Sequence, residues 1–151
     1  HALINKCKPL ELNSVYSYLL LCKHFADTCV VAEESGEILA FLSGYCLPSD
    51  HEVFFVWQVA VDSRIRERGL GKRLLHEVLQ RKTCQSCQFL ETTITLSNTA
   101  SLRLFRSIAG DLDAHCEESV YFSKELFGQK NHEAEYLFRI GPFNVNQEEC
   151  T

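Results

Sequence analysis

Between Val53 and Gln80 the chain reads VFFVWQVAVDSRIRERGLGKRLLHEVLQ, and no other stretch limits the possible folds as tightly. From Val53 to Val61 nearly every residue is apolar, aromatic or β-branched, with Gln58 the only strongly polar member. Such a run suits a strand covered on both faces. Asp62 and Ser63 break it, and a basic loop, Arg64-Ile65-Arg66-Glu67-Arg68, runs into Gly69-Leu70-Gly71. Leu70, Leu74, Leu75, Val78 and Leu79 then recur at three-four spacing, which predicts a helix with one apolar face. Strand, basic glycine loop and helix together can bind an anion. The N–H groups at a helix N-terminus converge on one spot, the macrodipole favours negative charge there, and glycine lets a ligand approach the backbone. Arg64, Arg66, Arg68 and Lys72 add positive charge. A Gly-x-Gly turn before a helix is equally compatible with a plain tight turn. The loop is not a Walker loop, because Gly-Lys-Ser/Thr is missing, nor a dinucleotide fingerprint, because the third glycine is missing.

At 151 residues the chain is long enough for one domain with a proper core, and we expect a single domain over 1–151 with a loose tail after about residue 143. It starts at His1 and contains no Met, so further residues are expected before His1 in the natural protein. No apolar run approaches the roughly 18 residues of a membrane span, and no signal peptide is visible. The net charge of −5 argues against nucleic acid as a partner. Ahead of the central stretch we expect the end of a helix over 1–7, a helix capped by Asn13 or Ser14, and a hairpin of strands 28–33 and 37–45 turning at Glu34-Ser35-Gly36, followed by a loop from Leu47 to Glu52. Behind it come a strand at Phe89–Thr95, a helix capped by Ser97 or Asn98 and ended by Gly110, a weaker strand at 119–123, a helical turn at 124–127 and a last strand at Tyr136–Ile140.

Eight cysteines stand at positions 7, 22, 29, 46, 84, 87, 116 and 150, several inside apolar runs where a thiol behaves as a small hydrophobe. Cys84-x-x-Cys87 is compatible with half a zinc site or a redox pair. A second such pair is missing and His115-Cys116 is a poor substitute, so we expect no metal and place the pair in the turn before the next strand. Reduced thiols suggest a cytoplasmic protein.

Arg66-x-x-Gly69-x-Gly71, following a strand that ends in Val59-Ala60-Val61-Asp62, resembles the acetyl-CoA loop of the GNAT acetyltransferase superfamily. The resemblance implies an α/β (α+β) fold, a mixed central sheet flanked by helices, with only the first strand of the family order absent from this chain. It also implies acetyl-CoA as co-substrate, its pyrophosphate held by loop amides. The cofactor-binding residues it points to are Val59, Ala60, Val61, Arg66, Arg68, Gly69, Leu70, Gly71 and Lys72. Asn98-Thr99-Ala100-Ser101 with Leu104-Phe105 resembles the superfamily's second landmark, which adds Asn98, Ser101 and Phe105. In many members Asn lies near the pantetheine, and a Tyr about where Phe105 stands protonates the leaving thiolate. Phe105 has no proton to give, which leaves water, Tyr121 or Tyr136 for that step. Asn98 also reads as a simple helix cap, and both roles can hold together.

The segments LELNSVYSYLLLCKHF, FVWQVAVD, FLETTIT, CEES and HEAEYLFRIGPF, in this order, resemble the diaminobutyrate acetyltransferase family of ectoine biosynthesis. The implied reaction is acetyl transfer to the side-chain amine of L-2,4-diaminobutyrate, with a homodimer as the implied assembly. A cationic amine is bound by carboxylates or aromatic faces. That points to Glu11, Trp57, Glu133 and Glu135 as substrate-binding residues, with Glu91 a further carboxylate, and the resembling segments add Asn13 and Gln58. The family reads Asp-Leu-Asn where this chain has Glu11-Leu12-Asn13, so Glu11 changes reach. Trp57 is equally compatible with core packing, and each glutamate with a solvated charge. Attack needs a neutral amine, whereas an alkyl amine with a pKa of about 10 is mostly protonated at neutral pH. We take Glu135 as the base and Glu11 as holding the other amine, with backbone N–H groups around Val59 stabilising the oxyanion. A covalent thiol route is conceivable with eight cysteines, but none has an activating His beside it. Two rival readings stay open: a GNAT enzyme acting on a protein or other amine, and a non-catalytic acyl-CoA sensor.

Overall fold

A computed structural model describes residues 1–66, 68–128 and 131–144. They form two compact units, His1–Cys87 and the chain from Gln88 onward. The tail expected to be loose after about residue 143 falls mainly outside the described residues, as do Glu67 and Cys150.

In the first unit, α1 (Ala2–Lys6) and α2 (Val15–His24) precede three strands, β1 (Val30–Glu34), β2 (Glu37–Leu47) and β3 (Asp50–Val61). The strands form an antiparallel meander in the order β1-β2-β3, with Val31 opposite Phe41 and Leu42 opposite Val59. Ser14 caps α2 by accepting the Ser17 N–H at 3.2 Å, which resolves the choice between Asn13 and Ser14. The loop expected from Leu47 to Glu52 is instead a two-residue turn, because Leu47 pairs with Asp50 across Pro48-Ser49. Backbone pairing carries β3 back to the polar residues Asp50, His51 and Glu52, where no apolar pattern marked a strand. Gly44 is fixed by packing, since a Cβ there would lie 2.5 Å from the Phe54 ring and 2.6 Å from the Phe55 carbonyl oxygen.

Cover on both faces of β3 is only partly realised. Phe54, Val56, Gln58 and Ala60 are buried, whereas Val59 and Val61 are half-buried and Trp57 is exposed. Ser43 pairs with Gln58 but Gly44 pairs with Val56, so Trp57 is the extra residue of a β-bulge. After β3, α3 (Leu70–Leu79) buries Leu74, Leu75, Val78 and Leu79, the face its spacing predicted. Each such side chain stabilises the fold by roughly 1.5–3 kcal/mol relative to exposure. Leu3, Ile4, Cys7, Tyr18, Leu21 and Ala60 form a second buried cluster where α1 and α2 meet the strands. A short 3-10 turn at Lys82–Cys84 closes the unit.

The second unit contains β4 (Phe89–Ile94), α4 (Thr99–Asp111), β5 (Cys116–Phe122), a 3-10 turn at Lys124–Phe127 and β6 (Glu135–Ile140). β6 lies between β4 and β5, antiparallel to both, with Phe138 opposite Thr92 on one side and Glu118 on the other. Gly110 does not end α4, which runs on to Asp111; the chain reverses at Asp113, whose φ of 47° is left-handed. Phe138 and Ile140 are fully buried. Among the described residues no helix is long and apolar enough to cross a membrane.

Candidate active site

The end of β3 and the start of α3 carry the anion-binding geometry. Gly69 is the N-cap of α3 in the left-handed conformation, at φ 68° and ψ 14°, and it offers no side chain to cap the first turn. The first turn contains no acidic residue, and Gly71 within it is buried. The N–H groups of Leu70 and Gly71 lead this helix, at the positive end of its dipole. Arg66 and Arg68 are exposed beside this turn, and Arg66 Nε donates to the Val61 carbonyl at 3.5 Å. Arg64 has another task. It donates to both carboxylate oxygens of buried Asp62, at 2.9 and 2.8 Å, and to Glu37 at 2.6 Å. Hydrogen bonds from the Arg64 side chain and backbone hold the Asp62 carboxyl well below the usual carboxylate range. Arg64 therefore anchors the loop to β2, whereas Arg66 and Arg68 stand exposed beside the α3 N-terminus. This set fits a pyrophosphate.

The candidate acceptor residues of the first unit come together through a side chain that sequence reasoning passed over. Gln58, buried within β3, donates from Nε2 to the Glu11 carbonyl at 2.8 Å. Its Oε1 accepts the Tyr18 hydroxyl at 3.2 Å, and that hydroxyl accepts the Asn13 N–H at 3.3 Å. Tyr18 thus ties the segment carrying Glu11 and Asn13 to the middle of β3, one residue from Trp57. The available signal was a Tyr at three-residue spacing from Leu21 on the buried face of α2. Trp57 is 43% exposed, so core packing does not account for it. Glu11 is exposed. A cavity of about 400 Å3 beside α1, lined in part by Leu3, Tyr18, Ile38 and Phe41, contains none of these candidates; its carboxylates, Glu37 and Asp62, are both held by Arg64.

In the second unit Asn98 is the N-cap of α4 and accepts the Ser101 N–H at 3.2 Å, leaving its amide N–H groups for other partners. Phe105 is buried, and its ring supplies no proton. Glu91 is not a solvated charge: it is buried on β4 and ion-paired with Arg139, its register partner on β6. Glu133 is exposed and accepts a short hydrogen bond from Ser97. Glu135 opens β6 half-buried, opposite Phe122, and Tyr136 follows it, opposite Ile94 and Val120. Tyr121 is exposed at a break in the β5 register. Cys7, Cys29 and Cys116 make poor nucleophiles, since burial pushes their thiols up from the ordinary range. Cys7 instead donates to the Val61 carbonyl at 3.6 Å.

A strand, a left-handed glycine and a helix N-terminus flanked by arginines suit an anion, and residues 2–110 match the acetyltransferase (GNAT) family model. The chain belongs to the GNAT acetyltransferase family. Over 144 residues it is 49% identical to the L-2,4-diaminobutyric acid acetyltransferase of Bordetella parapertussis, covering 95% of this chain and 77% of that one. The enzyme of that name from Halalkalibacterium halodurans is 43% identical over 142 residues, covering 94% and 75%. The diaminobutyrate acetyltransferase EctA of Paenibacillus lautus, solved in complex with L-2,4-diaminobutyric acid and coenzyme A, superposes with a TM-score of 0.90 at 42% identity, covering 94% of this chain and 86% of that one. The fold class expected from the sequence is the one these comparisons show.

Proposed function

We propose that this chain transfers the acetyl group of acetyl-CoA to the 4-amino group of L-2,4-diaminobutyrate, giving N4-acetyl-L-2,4-diaminobutyrate. The observation that carries this reading is the similarity, along nearly the whole chain, to an acetyltransferase holding that diamine and coenzyme A. The family match spans the boundary between the two compact units, which supports one acetyltransferase domain built from both.

The residues divide the work as follows. The α3 N-terminus, with Gly69, Leu70, Gly71, Arg66, Arg68 and Lys72, binds the pyrophosphate of the co-substrate, and Asn98, Ser101 and Phe105 bind further along it. Backbone N–H groups between Val59 and Val61 stabilise the developing oxyanion; the bulge at Trp57 supports this by interrupting the ladder just before them. Glu11, Asn13, Trp57, Gln58 and Glu133 receive the amino acid. Glu135 takes a proton from the 4-ammonium group, whose freed lone pair then attacks the acetyl carbon. As the carbon–sulfur bond breaks the nitrogen gives up its second proton to water, and the thiolate leaves, to be protonated by water or by Tyr121 or Tyr136. No enzyme thiol is acylated, in keeping with the raised thiols of Cys7, Cys29 and Cys116.

The setting we propose is a cytoplasmic homodimer acting in synthesis of the compatible solute ectoine under osmotic stress. Val15, Tyr16 and Leu19 leave an exposed apolar face on α2, which supports a self-contact. Release of free coenzyme A, followed with diaminobutyrate, lysine and peptide N-termini as alternative acceptors, tests the reading. We expect turnover with diaminobutyrate far above the others. A protein acetylase would favour the peptide, and a sensor would bind acetyl-CoA without turnover.

A further inference from the structure

Cys46 near the end of β2, Cys84 at the end of the 3-10 turn and Cys87 three residues on bring their sulfurs to one point in the first unit. The three Sγ atoms lie within 4.8 Å of one another, and those of Cys46 and Cys87 are 3.7 Å apart. Cys84 and Cys87 are buried and Cys46 is half-buried, so the cluster has one side nearer to solvent. The arrangement is held from several directions. The Cys87 N–H donates to the Cys84 carbonyl at 3.0 Å, closing the turn that sets the spacing of the pair. Ser86 Oγ and Cys87 Sγ both donate to the His51 carbonyl, at 3.1 and 3.6 Å, and Cys46 Sγ donates to the Thr83 carbonyl at 3.5 Å. None of these side chains has a part in acetyl transfer as described above.

Sequence spacing alone left Cys84-x-x-Cys87 as half a site, with no metal expected. The fold adds the missing partner, since the β2–β3 hairpin delivers Cys46 from 38 positions upstream of Cys84. Metal–sulfur bonds of about 2.3 Å place sulfurs that share one ion roughly 3.8–4.0 Å apart, a spacing this cluster meets with little movement. We propose that Cys46, Cys84 and Cys87 form a three-thiolate site for one soft d10 cation. Thiolate ligands select zinc, copper(I) and heavier ions of that class over hard cations. The thiols must lose their protons on loading. A bound cation takes the place of the thiol protons, so loading releases protons.

Anaerobic titration of the reduced chain with Cd2+ tests this, read by thiolate-to-cadmium charge-transfer absorption and by proton release. We expect one tight equivalent, and X-ray absorption at cadmium should find three sulfur neighbours in the wild-type chain. Cys46→Ser should weaken binding on the order of a hundredfold, whereas Cys22→Ser, at an exposed thiol on α2, should leave it unchanged. The wild-type sulfur count decides the matter even if Cys46→Ser fails to fold. Absence of a tight equivalent, a cadmium shell dominated by oxygen or nitrogen, or equal affinity in folded Cys46→Ser overturns the proposal.

Discussion

Gln58 carries the strongly polar side chain in the middle of an apolar strand, and burial obliges it to pair both its donor and its acceptor. It does so with the Glu11 carbonyl and the Tyr18 hydroxyl. Tyr18→Phe strands the Gln58 oxygen and the Asn13 N–H, so we predict a loss of about 1–3 kcal/mol in denaturant unfolding. The same change should raise KM for the diamine more than for acetyl-CoA, because the segment it loosens carries Glu11. Ser43 gives the opposite case. Its hydroxyl is buried opposite Gln58 with no hydrogen-bond partner among the described residues, and an unpaired buried hydroxyl costs roughly 1–3 kcal/mol. Ser43→Ala is therefore expected to be neutral or stabilising in a thermal melt; a clear fall in Tm would mean that the hydroxyl has a partner. At this scale the sequence was only half legible. Gln58 stood out as the polar exception, but its partner Tyr18 lies 40 positions away, and no local pattern links residues at that distance. Glu91 read as one more charge because its neutraliser, Arg139, becomes a neighbour only once β4 and β6 pair.

The loop between β3 and α3 was the most legible element, since its signals are local: a β-branched run, a glycine at the cap position and a three-four apolar face. Its charges were harder to apportion. Arg64 lies among the basic residues but serves Asp62 and Glu37, and only tertiary pairing separates it from Arg66 and Arg68. Gly71→Asp places bulk and negative charge in the first turn of α3, and we predict a loss of coenzyme A affinity of more than about tenfold by calorimetry. Unchanged affinity in a folded variant would remove the loop from the site. Asp62→Asn should loosen the loop in a pH-dependent way. The folded carboxyl titrates below its unfolded value, so its contribution is present above the ordinary carboxylate range and is lost as pH falls through the depressed one. The Tm gap between wild type and Asp62→Asn should therefore be full at neutral pH and close in strong acid. A constant gap would assign the effect to packing. The Leu47–Glu52 stretch was illegible for a different reason: Pro48 and polar residues signal a loop, and only the β2–β3 register turns them into strand ends.

At the scale of the molecule, the order of helices and strands, the acetyltransferase family and the likeness to the diaminobutyrate enzymes were all legible in the chain, because each is a linear pattern. The division of labour among the carboxylates was not, since it depends on which residues of distant elements face one substrate. We predict that Glu11→Ala and Glu135→Ala lower kcat/KM for diaminobutyrate by about ten- to more than a hundredfold, the worth of a charge-assisted hydrogen bond of roughly 1.5–3 kcal/mol. Binding of acetyl-CoA should change little. If Glu135 is the base, its variant loses kcat and recovers in part at higher pH, where free amine is commoner; if it only binds, the loss falls on KM. The most direct measurement is NMR of the product formed from acetyl-CoA and L-2,4-diaminobutyrate by the purified chain. Our reading predicts one product, acetylated on the 4-nitrogen, in step with coenzyme A release. Acetylation of the 2-nitrogen, or no product from a folded chain that binds acetyl-CoA, would contradict it.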